Sequence, residues 1–225
     1  MSRVVQAAAS RGSQKWLQIL VNQHPERINR YLAETLKLGD SDRVEWLSPL
    51  EKDGYAEYRD QAFLDRLGVP AGSVPLKSFW PSRGPQWDGL ARTDRGHLIL
   101  VEAKAHIPEM CSSPTRAKGN SLALIRASLD ETKHFLRSHV KVDWSSCFYQ
   151  YTNRLAYLYF LRERARLPAY LLFVYFLQDY DVGGPATQSE WESAIELVET
   201  FLDVRHHRLS DYVLHAFTDV GELTC

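Results

Sequence analysis

The stretch Leu98-Ile99-Leu100-Val101-Glu102-Ala103-Lys104 decides how this chain is read. Its β-branched and leucine-rich half has the length and composition of a strand buried on both faces. It ends with two opposite charges separated by one residue. In a strand, alternate side chains share a face, so Glu102 and Lys104 project together. Unpaired charge inside a core is costly, so a Glu and a Lys at the end of an apolar strand require either a structural partner or a chemical use.

Reading outward, Asp94-Arg95-Gly96 is a tight-turn signal, and residues 86–93 before it have strand character. The two segments predict a hairpin with Asp88 in the first strand and Glu102 and Lys104 in the second. Downstream, residues 169–176 (Ala-Tyr-Leu-Leu-Phe-Val-Tyr-Phe) form a continuous apolar run stopped by Pro168, which predicts a second strand buried on both faces. Residues 44–47 and 213–217 predict two shorter strands. Helical spacing appears in residues 16–36, interrupted at Pro25, and in residues 55–67, 122–136 and 149–166. Residues 190–202 complete the helices, with Ser189 as N-cap and Glu192 closing a capping box. Interleaved helices and strands place the chain in the α/β class. A single domain over residues 1–225, with an N-terminal helical segment over about residues 1–40, is the expected organisation.

Composition limits the function classes. The chain has 225 residues, a net charge of −1 and 44% hydrophobic residues, so bulk charge does not recruit a nucleic acid or a membrane surface. The charge is unevenly placed: residues 116–141 are basic, and residues 179–203 carry seven acids without Lys or Arg. Three cysteines, far apart and without C-x-x-C spacing, argue against a disulfide framework or a zinc knuckle. With no apolar segment near the roughly 20 residues that span a bilayer, the expectation is a soluble, cytoplasmic protein with no membrane partner.

Two carboxylates meeting from neighbouring strands can hold Mg²⁺ or Mn²⁺, hard cations that take carboxylate oxygens, water and substrate phosphate. A nearby lysine can then assist an attacking water or stabilise developing negative charge. With 28 acids among 225 residues, roughly one acid-x-Lys triplet arises by chance, so context must discriminate. Glu131-Thr132-Lys133 is such a triplet on an amphipathic helix, where a solvated face accounts for it. Glu102-Ala103-Lys104 lies at the end of a buried strand with Asp88 upstream.

On these residues, Pro85-Gln86-Trp87-Asp88-Gly89 followed by Val101-Glu102-Ala103-Lys104, the chain resembles the PD-(D/E)XK nuclease superfamily of restriction-endonuclease-like fold. It departs from that pattern in having Trp87, rather than a proline, directly before the aspartate. The resemblance implies a central mixed sheet flanked by helices. It also implies metal-dependent hydrolysis of phosphodiester bonds, with DNA favoured over RNA, in which Asp88 and Glu102 bind Mg²⁺ or Mn²⁺ and Lys104 assists the water. It further implies an upstream acid, for which Glu57 on the expected helix 55–67 is the candidate, and an accessory Gln150. Gln150, Asn153, Arg154 and Tyr157 fall at i, i+3, i+4 and i+7 as a polar stripe, with Arg154 a candidate phosphate contact. Arg116 and Lys118 are further candidates for backbone phosphate. The alternatives are a catalytically inactive binding or assembly module of the same fold, and a purely structural Asp88, Glu102 and Lys104 cluster. Partners beyond nucleic acid, a homodimer or another protein, are left open by the near-neutral charge.

Overall fold

The computed structural model describes residues 2–224. Its strands among these are β1 (Arg3–Val4), β2 (Val44–Ser48), β3 (Glu57–Tyr58), β4 (Gly89–Thr93), β5 (Leu98–Lys104), β6 (Ala169–Leu177) and β7 (Val213–Asp219). Its helices are α1 (Gly12–Gln23), α2 (Pro25–Thr35), α3 (Gln61–Arg66), α4 (Leu76–Phe79), α5 (Gly119–Leu136), α6 (Tyr149–Tyr159) and α7 (Gln188–Leu202). Five strands form one mixed sheet in the order β2-β4-β5-β6-β7, and β1 pairs with β3 in a separate ribbon. The chain is therefore α/β.

The sheet is built around β5, all seven residues of which are buried. β4 pairs with β5 antiparallel through the Asp94-Arg95-Gly96 turn, closed by the Gly96 N–H donating to the Thr93 carbonyl at 2.8 Å. Gly96 adopts φ +80°, where a side chain would be strained. β6 lies parallel to β5, and β7 parallel to β6. The apolar run of β6 thus has a strand on each side and helices over both faces, which explains its lack of alternation.

Alternate residues of β5 enter two different cores. Leu98 and Leu100 join Leu171 and Phe173 beneath α5, α6 and α7, whereas Ile99, Val101 and Ala103 join Leu172 and Val174 beneath Trp16, Leu20, Ile28 and Leu32 of α1 and α2. Period-two alternation within a wholly apolar strand is what a three-layer arrangement requires. It also places Glu102 and Lys104 on the α5/α6/α7 side.

Three local expectations are corrected. Residues 55–67 are not one helix: Glu57 and Tyr58 are strand β3, and only Gln61–Arg66 is helical. The strand is imposed from afar, by pairing with Arg3 and Val4 and by the Trp87 N–H donating to the Tyr58 carbonyl at 3.0 Å. Asp60 then turns the chain with φ +53°. The helix expected over 149–166 is α-helical only to Tyr159, and residues 160–164 wind as a π-turn. α7 begins earlier than expected, with Thr187 rather than Ser189 as N-cap. The Glu190 carboxylate accepts from the Thr187 and Ala186 N–H groups at 3.1 and 2.6 Å. Thr187 is extended and Pro185 lies just upstream, so the first free N–H groups fall two residues earlier. Among the described residues, no helix is long and apolar enough to cross a membrane.

Candidate active site

The register of the hairpin creates the site. Gly89 pairs with Val101, so Asp88, in the bend just before β4 rather than within the strand as expected, comes level with Glu102. Its Oδ2 accepts the Ala103 N–H at 2.9 Å. This bond uses one carboxylate oxygen to satisfy the β5 backbone where the β4–β5 ladder ends.

Glu102 is wholly buried and held by two cations. Lys104 Nζ donates to its Oε1 and, at 3.0 Å, to Gln150 Oε1. Arg154 Nε donates to Glu102 Oε2 at 2.6 Å, and Nη2 lies 2.5 Å from the same oxygen in an ion pair. The guanidinium also donates to the Gln86 carbonyl at 2.7 Å and lies 4.5 Å over the Trp87 ring. Burial would raise the Glu102 carboxyl, but Arg154 and Lys104 overcome it and hold the group below its ordinary value.

Asp88 behaves oppositely. Burial, reinforced by the charges of Glu102 and Glu57, pushes its carboxyl up to about 8, against the opposing pull of Lys104 and Arg154. With Asp88 protonated, Lys104 and Arg154 balance Glu102 and Glu57; ionising Asp88 leaves one negative charge in excess. The site is therefore a closed ionic network with one additional carboxyl held in its neutral form.

Glu57, expected on a helix, reaches this network from β3. Its carboxylate accepts amide N–H groups from Gln6 at 3.0 Å, Gln14 at 2.9 Å and Gln86. Gln86 therefore joins the two halves, its side chain on Glu57 and its carbonyl on Arg154. Gln150 lies at the start of α6, its backbone N–H donating to Ser112 Oγ at 2.7 Å.

All five residues singled out from the sequence, Asp88, Glu102, Lys104, Glu57 and Gln150, thus fall in one region. Arg154, expected to face a phosphate, instead clamps Glu102. Its position one turn after Gln150 was the only local sign that it belongs here. The three glutamines around Glu57 left no such sign. His106 Nδ1 lies 2.8 Å from Glu109 Oε1 of its own loop, and the His207 ring accepts the Leu209 N–H, so neither side chain is directed at the network. Among the described residues, no three His, Cys, Asp or Glu side chains are grouped to hold a metal ion. Comparisons of the chain with protein-family models, curated proteins and solved structures find no match in any of the three.

Proposed function

We propose that this protein is a divalent-metal-dependent phosphodiesterase of the PD-(D/E)XK type acting on nucleic acid, with DNA favoured by the resemblance. The observation that carries the reading is the facing pair Asp88 and Glu102 at the end of the β4–β5 hairpin, with Lys104 on the same face. The donor set suits a hard cation: all ligands on offer are carboxylate oxygens, and an ion would offset the charge that keeps Asp88 protonated. Asp88 and Glu102 would hold the ion, with Glu57 behind them.

Bound there, Mg²⁺ or Mn²⁺ supplies Lewis acidity to a phosphoryl oxygen and a more acidic water. The chain's own residues do the rest. Arg154 fixes the Glu102 carboxylate so that it need not reorganise when substrate arrives. Lys104, oriented by Gln150, presents an ammonium where negative charge develops on phosphorus oxygens.

Calorimetric titration of Mn²⁺, followed by cleavage of mixed single- and double-stranded DNA, tests the reading. The expected result is binding to wild type and its loss in Asp88→Asn, with cutting by wild type alone. Lys104→Ala is expected to retain Mn²⁺ and lose cutting. One observation favours an inactive binding module instead: both Glu102 oxygens already carry cationic donors. Wild type that binds nucleic acid yet never cuts it in Mn²⁺ decides for the module.

A further inference from the structure

We infer that the cleft beside the carboxylates, between the end of β3 and residues 72–83, binds the phosphate backbone of a single nucleic-acid strand, with Lys77 and Arg83 as its contacts. The inference rests on the nucleic-acid reading above and adds where, and by which residues, the strand is held.

The cleft has a volume of about 660 Å³, and its lining includes Arg59, Asp60, Lys77, Trp80 and Arg83. That is the size of sites that hold a small ligand or one unit of a polymer, roughly 300–1,000 Å³. Three of these side chains are cationic and one is acidic. The acid is already engaged by backbone: Asp60 Oδ1 accepts the Gly84 N–H at 2.9 Å and Oδ2 the Arg83 N–H at 3.3 Å. Arg59 lies 4.0 Å from that carboxylate. Lys77 and Arg83 are exposed, and among the described residues no ion pair or side-chain hydrogen bond engages either one. Two uncommitted cations across a concave surface attract an anion with regularly placed charges.

The position selects the ligand. Arg59 follows Glu57 by two residues, at most about 7 Å of extended chain. The facing wall leads from Arg83 through Gln86, which bonds Glu57, to Asp88. β3 and this segment run side by side, joined by the Trp87 to Tyr58 bridge. A strand whose phosphates lie on Lys77 and Arg83 is therefore held within a few residues' length of the segments that carry Glu57 and Asp88. Trp80 is buried against Tyr157, so the wall offers charge rather than base stacking, and the contact is indifferent to sequence.

The test uses the full chain and a fluorescein-labelled single-stranded DNA of about 20 nucleotides, in chelator to prevent cutting, with anisotropy read over about 50–200 mM salt. Lys77→Glu/Arg83→Glu is expected to weaken binding at least tenfold and to reduce the slope of log K against log salt by about 1.4, or roughly 0.7 for each phosphate no longer neutralised. Arg30→Glu/Lys37→Glu carries the same charge change on and just after α2, over the opposite face of the sheet, and is expected to have little effect. Equal losses in both variants, or no binding by wild type, overturns the inference. The Mn²⁺ titration and cleavage assay on the same variants separate it from the nuclease reading. If wild type takes up metal and cuts while the cleft variant binds DNA unchanged, the cleft assignment alone fails. If the cleft variant loses binding while wild type takes up no metal and cuts nothing, the nuclease reading alone fails.

Discussion

In chelator, Asp88→Asn is expected to make the protein more stable, by an amount that grows with pH. Asp88 titrates at about 8 in the folded protein against an ordinary value of 3.8, because it is buried beside Glu102 and Glu57. A carboxyl whose folded value is raised binds more protons folded than unfolded. Its contribution is intact below the unfolded value and is lost as pH climbs towards the folded one. Each pH unit in that window removes about 1.4 kcal/mol, giving a ceiling on the order of 5 kcal/mol by pH 8. Asp88 is half-buried by its accessible surface, so solvent screening lowers this, and about 2–4 kcal/mol is expected. Asparagine is neutral throughout, and its carbonyl oxygen can still accept the Ala103 N–H. Urea unfolding of both proteins at pH 5, 6.5 and 8 gives the difference, from which groups common to both largely cancel. Saturating Mn²⁺ is expected to restore the wild type at pH 8 and to leave the variant unmoved. Parallel stability profiles for the two proteins would refute the argument that Asp88 carries the excess charge.

Three further perturbations probe the surroundings. Arg154→Met leaves Glu102 buried with only Lys104 for charge compensation; a loss of about 3–5 kcal/mol in urea unfolding is expected. Gly84→Ala would drive a methyl into the Tyr157 hydroxyl and bring it within 3.3 Å of Trp80, so a loss of at least about 2 kcal/mol is expected, with partial recovery in Gly84→Ala/Tyr157→Phe. Tyr175→Phe removes a buried hydroxyl that has no hydrogen-bond partner among the described residues, so stability in thermal unfolding is expected to be unchanged or raised by up to about 1 kcal/mol. A clear loss would refute the reading of that hydroxyl as unpartnered.

What could be read from residue order is what depends on neighbours in sequence. β5 was legible because its whole length is apolar up to Glu102, and the hairpin because Gly96 supplies the turn that joins two adjacent strands. Together they bring Asp88 and Glu102 level without further information. Glu57 was expected on a helix that the structure does not have there. Its segment has helical spacing, but Arg3, Val4 and Trp87 recruit it into a ribbon, and pairing between distant segments outweighs local propensity. Its partners Gln6 and Gln14 lie 51 and 43 residues away, with no periodicity to connect them. Asp88, expected inside the strand, lies one residue before β4, where its carboxylate rather than its backbone completes the ladder with Ala103.

Arg154 shows how such a site acquires rigidity. A single guanidinium joins three elements: it holds Glu102 on β5, the Gln86 carbonyl ahead of β4, and the face of Trp87, which is itself bonded to β3. Moving α6 away from the sheet would break all of these at once and leave charges unpaired in the core. Burial therefore makes the network all-or-none, since each partner's desolvation is offset only while the others stay in place. Asp88 stands apart from this network in carrying a proton, held there by burial and by the charges of Glu102 and Glu57. Lys77 and Arg83 sit outside this locked network on the exposed cleft wall, free to meet a strand without disturbing the carboxylates.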